Sequence, residues 1–171
     1  MRLADYLIRW TGDVEYADYW ERNLYNGILA QQHPDTGMVA YFLPLQGGAV
    51  KKWGSPTEDF WCCHGSLVQA HAIHNQGVYF EDDEGLAVAQ YVPSVAEWQG
   101  AGAGVTITQT RDPQLSAARR PDSWAIDIAV ECTQPSAFTL KLRLPWWVEG
   151  SAEITINGEA QVVAPGGSRF E

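Results

Sequence analysis

Hydrophobic residues in the first third of the chain recur every three or four positions, which is the spacing of one face of an α-helix. The first such stripe is Leu3, Leu7 and Trp10, and the second is Tyr16, Trp20, Leu24 and Ile28. Gly12 separates the stripes, and Asp13 is a residue type that caps helix N-termini. The pattern predicts an antiparallel helix pair whose second member ends near Gln32, before Pro34.

A turn, a short extended segment and a loop are predicted to follow the helix pair. Residues 34–37 have the Pro-Asp-Thr-Gly sequence of a turn, residues 38–45 are apolar and extended in character, and residues 46–59 contain three glycines and a proline. A third helix is predicted from Ser66 to about Asn75. The cysteine-containing segment 60–65 is therefore expected in a loop, where binding and catalytic residues are often found.

From residue 78 onward, apolar residues alternate with polar ones, which is the period of half-buried β-strands. The predicted strand segments are residues 78–80, 86–92, 105–108, 124–130, 138–144 and 154–156. Asn157-Gly158 is the strongest two-residue hairpin signal, and residues 99–104 form a flexible Gly/Ala turn. Short strands with turns every ten or so residues predict an antiparallel β-sandwich. The change of period places a domain boundary near Gly77, between a helical domain (1–76) and a β-domain (77–171).

Composition narrows the classes of partner. The 171-residue chain is 46% hydrophobic, with 11 Lys and Arg against 21 Asp and Glu and a formal charge of −10. The negative electrostatic field of such a chain would repel the phosphate backbone of a nucleic acid, so nucleic acid is not an expected partner. No apolar run reaches transmembrane length, so no membrane partner is expected either. Eight Trp and seven Tyr agree with a sugar ligand, because aromatic rings stack on sugars, but they also fill ordinary cores.

Adjacent Cys62 and Cys63, between Trp61 and His64, are the most informative residues for chemistry. Two neighbouring thiols can share a soft metal ion such as zinc, and a metal-bound thiol is a thiolate nucleophile. From spacing alone, a pair of small packing residues or a strained vicinal disulfide is the more common explanation. No CxxC partner accompanies the pair, and three cysteines do not make a disulfide scaffold.

Other polar residues have a structural explanation beside a functional one. His71 and His74 are three apart on a predicted helix, a spacing that can bind metal, but a solvated or core-satisfied pair is the favoured interpretation. Glu21 lies mid-helix beside the aromatic stripe, where a solvent-facing or ion-paired carboxylate is the default. For His64, next to the thiols, the two interpretations have equal weight. Cys132 is in phase with the apolar residues of a predicted strand and is expected in the core.

The order of these pieces resembles glycoside hydrolase family 127, the zinc- and cysteine-dependent β-L-arabinofuranosidases. The similar segments are residues 9–13 (RWTGD), 16–18 (YAD), 21–30 (ERNLYNGILA), 33–38 (HPDTGM), 41–45 (YFLPL), 61–65 (WCCHG), 142–147 (LRLPWW) and 156–159 (INGE). The resemblance covers nearly the whole chain. Its most specific feature is the cysteine pair after a tryptophan, at this distance from the ERNLYN helix.

The resemblance implies an (α/α)6 barrel followed by a β-sandwich, and retaining hydrolysis by a zinc-bound cysteine thiolate with help from a carboxylic acid. By position, Cys62 matches the nucleophile, which is also a zinc ligand, and Cys63 matches a second zinc ligand. Glu21 matches a glutamate that contacts the sugar, and Tyr41 an active-site tyrosine. His64, beside the thiols, is a further candidate substrate contact.

The resemblance also implies that parts of the site are missing. The family's other two zinc ligands, in a Glu-x-Cys motif, and its acid catalyst lie upstream of the first matching helix. The chain is therefore expected to be a fragment of a longer hydrolase, cut at both ends and inactive by itself. The alternative is a non-catalytic carbohydrate-binding β-module with a helical appendage, which would bind sugar without metal and leave Cys62 inert. Neither interpretation predicts an oligomeric state.

Overall fold

The computed structural model describes residues 1–111 and 124–171, and the chain divides into two compact units, Met1–Gly77 and Val78–Glu171. The first unit contains all of the described helices and the second contains the nine described strands. This mixed α+β class confirms the class that the two hydrophobic periods predict. Within the described residues, the helices are too short or too polar to cross a membrane.

The first unit begins with the predicted pair of helices, α1 (Arg2–Thr11) and α2 (Val14–Asn23). Gly12 ends α1 in the left-handed conformation, with φ +69°, and its N–H donates to the carbonyl of Ile8 at 2.8 Å. Glycine adopts this φ without the steric penalty of a Cβ, so it is the usual residue at this position. A π-helical turn (Leu24–Ile28) and a 3-10 turn (Leu29–Gln31) continue α2 to the predicted end.

The buried face of α1 differs from the predicted stripe. Leu3 and Trp10 are 67% and 75% exposed, whereas Ala4 and Ile8 are buried. The core between the helices is built on Ala4, Trp20 and Leu24 and extended by Met1, Tyr16, Ile28 and Leu29. The stripe on α2 is confirmed, and that on α1 is wrong by one position, because the small Ala4 packs in the core and leaves Leu3 outside.

The third helix starts earlier than predicted. Helix α3 spans Cys62–His71, so the two cysteines form its first turn rather than part of a loop. Trp61 precedes it in extended conformation, with φ −85° and ψ 166°. Gly65 lies inside the helix, where glycine costs about 1 kcal/mol relative to alanine but does not end it. A 3-10 turn, His74–Gly77, closes the unit.

The described residues of the second unit, 78–111 and 124–171, form three sheets. Its strands are β1 (Tyr79–Asp82), β2 (Gly85–Val88), β3 (Ser94–Gly100), β4 (Ala103–Arg111), β5 (Ile126–Cys132), β6 (Thr139–Leu144), β7 (Ala152–Ile156), β8 (Glu159–Val163) and β9 (Arg169–Phe170). The strand orders are β1-β2-β6-β9, β3-β4-β5 and β7-β8. Side chains of the first two sheets share one core, formed by Leu86, Val105 and Ile107 with Tyr79, Trp98, Ile128, Phe138 and Leu140 around them.

The prediction of a purely antiparallel sandwich is wrong for one strand pair. Strands β2 and β6 run parallel, with Leu86 opposite Leu140. Parallel neighbours need a crossover connection, and here the crossover contains the whole β3-β4-β5 sheet. Gly85 permits the close approach of the pair, because a Cβ there would lie 2.2 Å from the carbonyl oxygen of Thr139.

The hairpin predicted at Asn157-Gly158 is confirmed, whereas the prediction that Cys132 lies in the core is wrong. Asn157 and Gly158 both have positive φ, 51° and 90°, and join β7 to β8 as a type I′ turn requires. Cys132 is exposed. Its partner across the ladder, Val105, is buried, because β4 is the central strand of its sheet and β5 lies at the edge.

Candidate active site

The two thiols lie side by side at the N-terminal turn of α3. Cys62 and Cys63 are both exposed and free, with their sulfur atoms 3.9 Å apart. A disulfide bond would bring the sulfurs to about 2.05 Å, so the pair is a dithiol in this structure. A helix N-terminus also favours negative charge such as that of a thiolate. The pair is therefore placed to act as a nucleophile or to bind a soft cation.

Tyr41 contacts this dithiol from the segment before the loop. A hydrogen bond with the Cys63 side chain, followed by electrostatic repulsion from Cys63 and then Cys62, raises the pKa of the Tyr41 hydroxyl above its ordinary value of 10.0. A phenol with such a pKa stays protonated at neutral pH and can both donate and accept a hydrogen bond. Tyr41 and Cys63, two of the site residues predicted from the sequence, therefore lie next to Cys62, the candidate nucleophile.

An aromatic cluster surrounds the thiols. The Tyr41 ring lies edge-on to Trp61 at 4.8 Å and stacks with His64 at 5.9 Å, while Trp61 and His64 are 5.5 Å apart. His64 is only 7% exposed, and neither of its ring nitrogens has a hydrogen-bond partner among the described residues. Buried polar atoms usually find partners, so this imidazole has hydrogen-bonding capacity that the described residues do not use.

A cavity of about 410 Å³ opens beside this cluster. Its lining residues are Tyr41, Phe42, Leu43, Pro44, Val50, Lys52, Trp53, Gly54, Asp59, Trp61 and His64. The size and the mixture of aromatic rings with a few polar groups are typical of small-molecule sites. Aromatic faces of this kind also stack on the C–H faces of sugar rings.

The loop that forms one wall of the cavity is held by backbone and side-chain contacts. The Gly54 N–H donates to the carbonyl of Val39 at 2.9 Å, and the Ser55 N–H donates to the Asp59 carboxylate at 2.8 Å. Trp53 packs edge-on against His33 at 5.0 Å. A Cβ on Gly54 would lie 3.0 Å from Nε2 of His64, so glycine lets the loop close over the imidazole.

The remaining candidates lie apart from the ring contacts just described. Glu21 is buried in α2, 9% exposed, and its predicted contact with a sugar stays a prediction. His71 and His74 form a separate edge-to-face pair with centroids 5.1 Å apart. Burial first, and then the charge of His71, lowers the pKa of His74 below its ordinary value of 6.5. Nε2 of both rings has no hydrogen-bond partner among residues 1–111 and 124–171.

Sequence reasoning missed three loop residues that help to complete the cavity, namely Lys52, Trp53 and Gly54. Their positions depend on hydrogen bonds and ring contacts between residues up to twenty apart, which hydrophobic periodicity does not report. The available signal was compositional: an aromatic and charged loop immediately before a cysteine pair. Within the described residues, no group of three or more His, Cys, Asp and Glu side chains could hold a metal ion.

Comparisons with known proteins match both units. Residues 1–76 match the family model of the β-L-arabinofuranosidase GH127 catalytic domain, and residues 85–170 match that of the β-L-arabinofuranosidase GH127 middle domain. The crystal structure of Ara127N-Se, a GH127 β-L-arabinofuranosidase from Geobacillus stearothermophilus T6, is similar with a TM-score of 0.69 and 26% identity over 96% of this chain. The chain covers 27% of that relative's length. No curated protein sequence matches.

Proposed function

This chain belongs to glycoside hydrolase family 127, and we propose that it carries the nucleophile of a retaining hydrolase that releases β-L-arabinofuranose, or a related sugar, from plant-type glycans. Family membership supports a glycosidase whose partner is a carbohydrate. The observation that carries the proposal is the exposed Cys62–Cys63 dithiol, in contact with Tyr41 and beside a sugar-sized cavity. Cys62 is the nucleophile in this proposal.

The reaction proceeds by two displacements. The Cys62 sulfur attacks the anomeric carbon, the bond from that carbon to the leaving oxygen breaks, and a carboxylic acid protonates the departing oxygen. Water then attacks the same carbon and gives a proton to the carboxylate left by the first step, the carbon–sulfur bond breaks, and both the thiolate and the carboxylic acid are restored. Two inversions give net retention. The resemblance places the carboxylic acid outside these 171 residues.

The donor set fits zinc, with Cys62 and Cys63 as two of its ligands. Two sulfurs that share one tetrahedral zinc at about 2.3 Å lie about 3.8 Å apart, and the observed separation is 3.9 Å. A bound zinc would supply the positive charge that keeps a thiol ionised at neutral pH. Since a closed tetrahedral site needs four ligands, the other two are expected from residues outside this chain.

The remaining site residues hold the sugar. Tyr41 stays protonated and offers its hydroxyl beside the thiols, and His64 offers an imidazole nitrogen that has no other partner among the described residues. Glu21 accepts hydrogen bonds from sugar hydroxyls in this proposal. We assign residues 1–76 to the C-terminal part of an (α/α)6 barrel and residues 77–171 to the following β-domain, an assignment that the two family matches support.

Covalent labelling tests the proposal. The gene product that contains this chain is incubated with a haloacetamide derivative of L-arabinofuranose, and the labelled peptide is identified by mass spectrometry. We expect one label per molecule, on Cys62, and slower labelling when free L-arabinose competes. A label on Cys63 or Cys132 would contradict the assignment. Sugar binding without label or hydrolysis would favour a carbohydrate-binding module instead.

A further inference from the structure

One wall of the cavity carries a cation with no partner among the described residues. Lys52 lines the cavity together with Trp53 and Trp61. Within residues 1–111 and 124–171, its ammonium group takes part in no hydrogen bond, ion pair or cation–π contact. Asp59, the carboxylate that lines the same cavity, instead accepts the N–H of Ser55 at 2.8 Å. The positive charge of Lys52 is therefore available to a ligand.

The neighbouring lysine has a different role. The Lys51 ammonium donates to the carbonyl of Ala30 and lies 5.6 Å from the centroid of the Trp53 ring. Lys51 thus connects the loop to the 3-10 turn that follows α2, whereas Lys52 makes no such connection within the described part of the chain. Lys51 and Lys52 carry the same charge, but within the described residues only the ammonium group of Lys51 forms a hydrogen bond or a cation–π contact.

We propose that Lys52 recognises the carboxylate of an acidic sugar, so that the substrate class is a glycan that carries a uronate next to, or at, the cleaved residue. The inference rests on the proposed function, because it takes the cavity beside Cys62 as the glycan site. The chain has a formal charge of −10, and such a field repels anions. A cation that pairs with no other described residue, beside aromatic rings, is the local feature that would offset this repulsion and select a sugar with a carboxylate.

A matched pair of glycosides tests this inference on the gene product that contains this chain. Methyl α-D-galacturonoside and methyl α-D-galactoside share a ring and differ at C6, where one has a carboxylate and the other a hydroxymethyl group. Binding is followed through the indole N–H signals of Trp53 and Trp61 by NMR. A charge-assisted hydrogen bond adds enough free energy for about a tenfold preference for the galacturonoside at low salt. The preference should fall as salt rises.

Two variants with the same change in net charge locate the effect. In Lys52→Gln, the galacturonoside should bind no better than the galactoside, while galactoside affinity is unchanged. In Lys51→Gln, the preference should remain. Equal affinity for the two glycosides in the unmodified gene product, binding of neither, or an equal loss in both variants would overturn the inference. Labelling of Cys62 does not depend on Lys52, so the proposed function can stand when this inference fails.

Discussion

The backbone of Gly77 lies directly against the indole ring of Trp20: a Cβ built on Gly77 would lie 2.5 Å from Cε2 of that ring. Trp20 is 1% exposed and forms the core of the helical unit with Ala4 and Leu24. The last residue of the first unit thus packs on its second helix. Glycine is required here by contact with a buried ring rather than by the φ angle.

The first prediction follows from this contact. Gly77→Ala should destabilise the helical unit by about 2 kcal/mol, because overpacking a close-packed core forces side chains or backbone to shift. Gly27→Ala is the control, since nothing lies within 4 Å of a Cβ at Gly27, and it should change stability little. Urea denaturation of both variants measures the difference. Equal stability of the two would show that Trp20 can move aside freely.

The second prediction concerns a buried arginine in the β-unit. Arg143 is 0% exposed, and its guanidinium donates to the carbonyl of Ala89 and to the side chain of Gln90. Arg143→Leu should cost about 3 kcal/mol, because it leaves buried acceptors without donors. Lys141, on the same strand, pairs with Asp82 and Glu84 at the surface.

Lys141→Leu is the matched control for the arginine. Partly exposed ion pairs contribute about 0–1 kcal/mol, so its effect should be clearly smaller than that of Arg143→Leu. Thermal and urea unfolding of the two variants give the comparison. A larger loss for the lysine variant would mean that the surface pairs, rather than the buried guanidinium, stabilise the sheet.

The third prediction is a dependence of stability on pH. Burial and the charge of His71 lower the pKa of His74 below 6.5 in the folded chain. Between the folded and unfolded pKa values the unfolded chain binds more protons, so stability must fall as pH falls through about 6.5 and be unaffected by this group above it. Unfolding free energies measured from about pH 7.5 to pH 5 should show this loss, and His74→Gln should reduce it. An unchanged slope in the variant would assign the loss to other groups.

The sequence predicts best the features that depend on neighbouring residues. Gly12 ends α1, residues 34–37 form a turn, and Asn157-Gly158 forms the hairpin. Each of these features needs a positive φ angle, which glycine and asparagine adopt more readily than other residues. The mixed α+β class follows from the two hydrophobic periods for the same reason. Of the candidate site, Tyr41 was named through family resemblance, as the match of an active-site tyrosine, rather than through periodicity, and its contact with the cysteine pair is a finding of the structure.

Features that depend on distant residues were not predictable in this way. The parallel pairing of β2 with β6 joins segments more than fifty residues apart, and no local pattern reports the direction of the returning strand. Cys132 has the phase of a core residue, but its exposure depends on β5 being an edge strand. The α3 start at Cys62 lacks a side-chain cap, so the usual signal for a helix N-terminus is missing.

The fourth prediction is that the 171-residue chain hydrolyses arabinofuranosides poorly or not at all. Cys62 and Cys63 supply two thiols, whereas a closed zinc site needs four ligands, and the acid that protonates the leaving group is expected outside these residues. Release of 4-nitrophenol from 4-nitrophenyl β-L-arabinofuranoside, with and without added zinc, measures activity. Robust turnover by the chain alone would show that the proposed ligand set or acid is wrong.

The last prediction separates the two cysteines in the gene product that contains this chain. Cys62→Ser should abolish turnover while the fold survives, because a serine hydroxyl stays protonated near neutral pH and is a poor ligand for zinc. Loss of a covalent nucleophile costs on the order of 10⁴-fold or more in rate. Cys63→Ser should also reduce turnover, but through metal affinity.

The contrast between the two variants is what identifies the nucleophile. Both replace a sulfur by an oxygen in the first turn of α3, so both remove one proposed metal ligand and disturb the helix equally. Added zinc should restore part of the activity of Cys63→Ser, because its nucleophile is intact, and none of that of Cys62→Ser. Turnover and bound zinc are measured for both variants across a zinc titration. If Cys62→Ser recovers as fully as Cys63→Ser, both thiols act only as metal ligands and the nucleophile lies elsewhere.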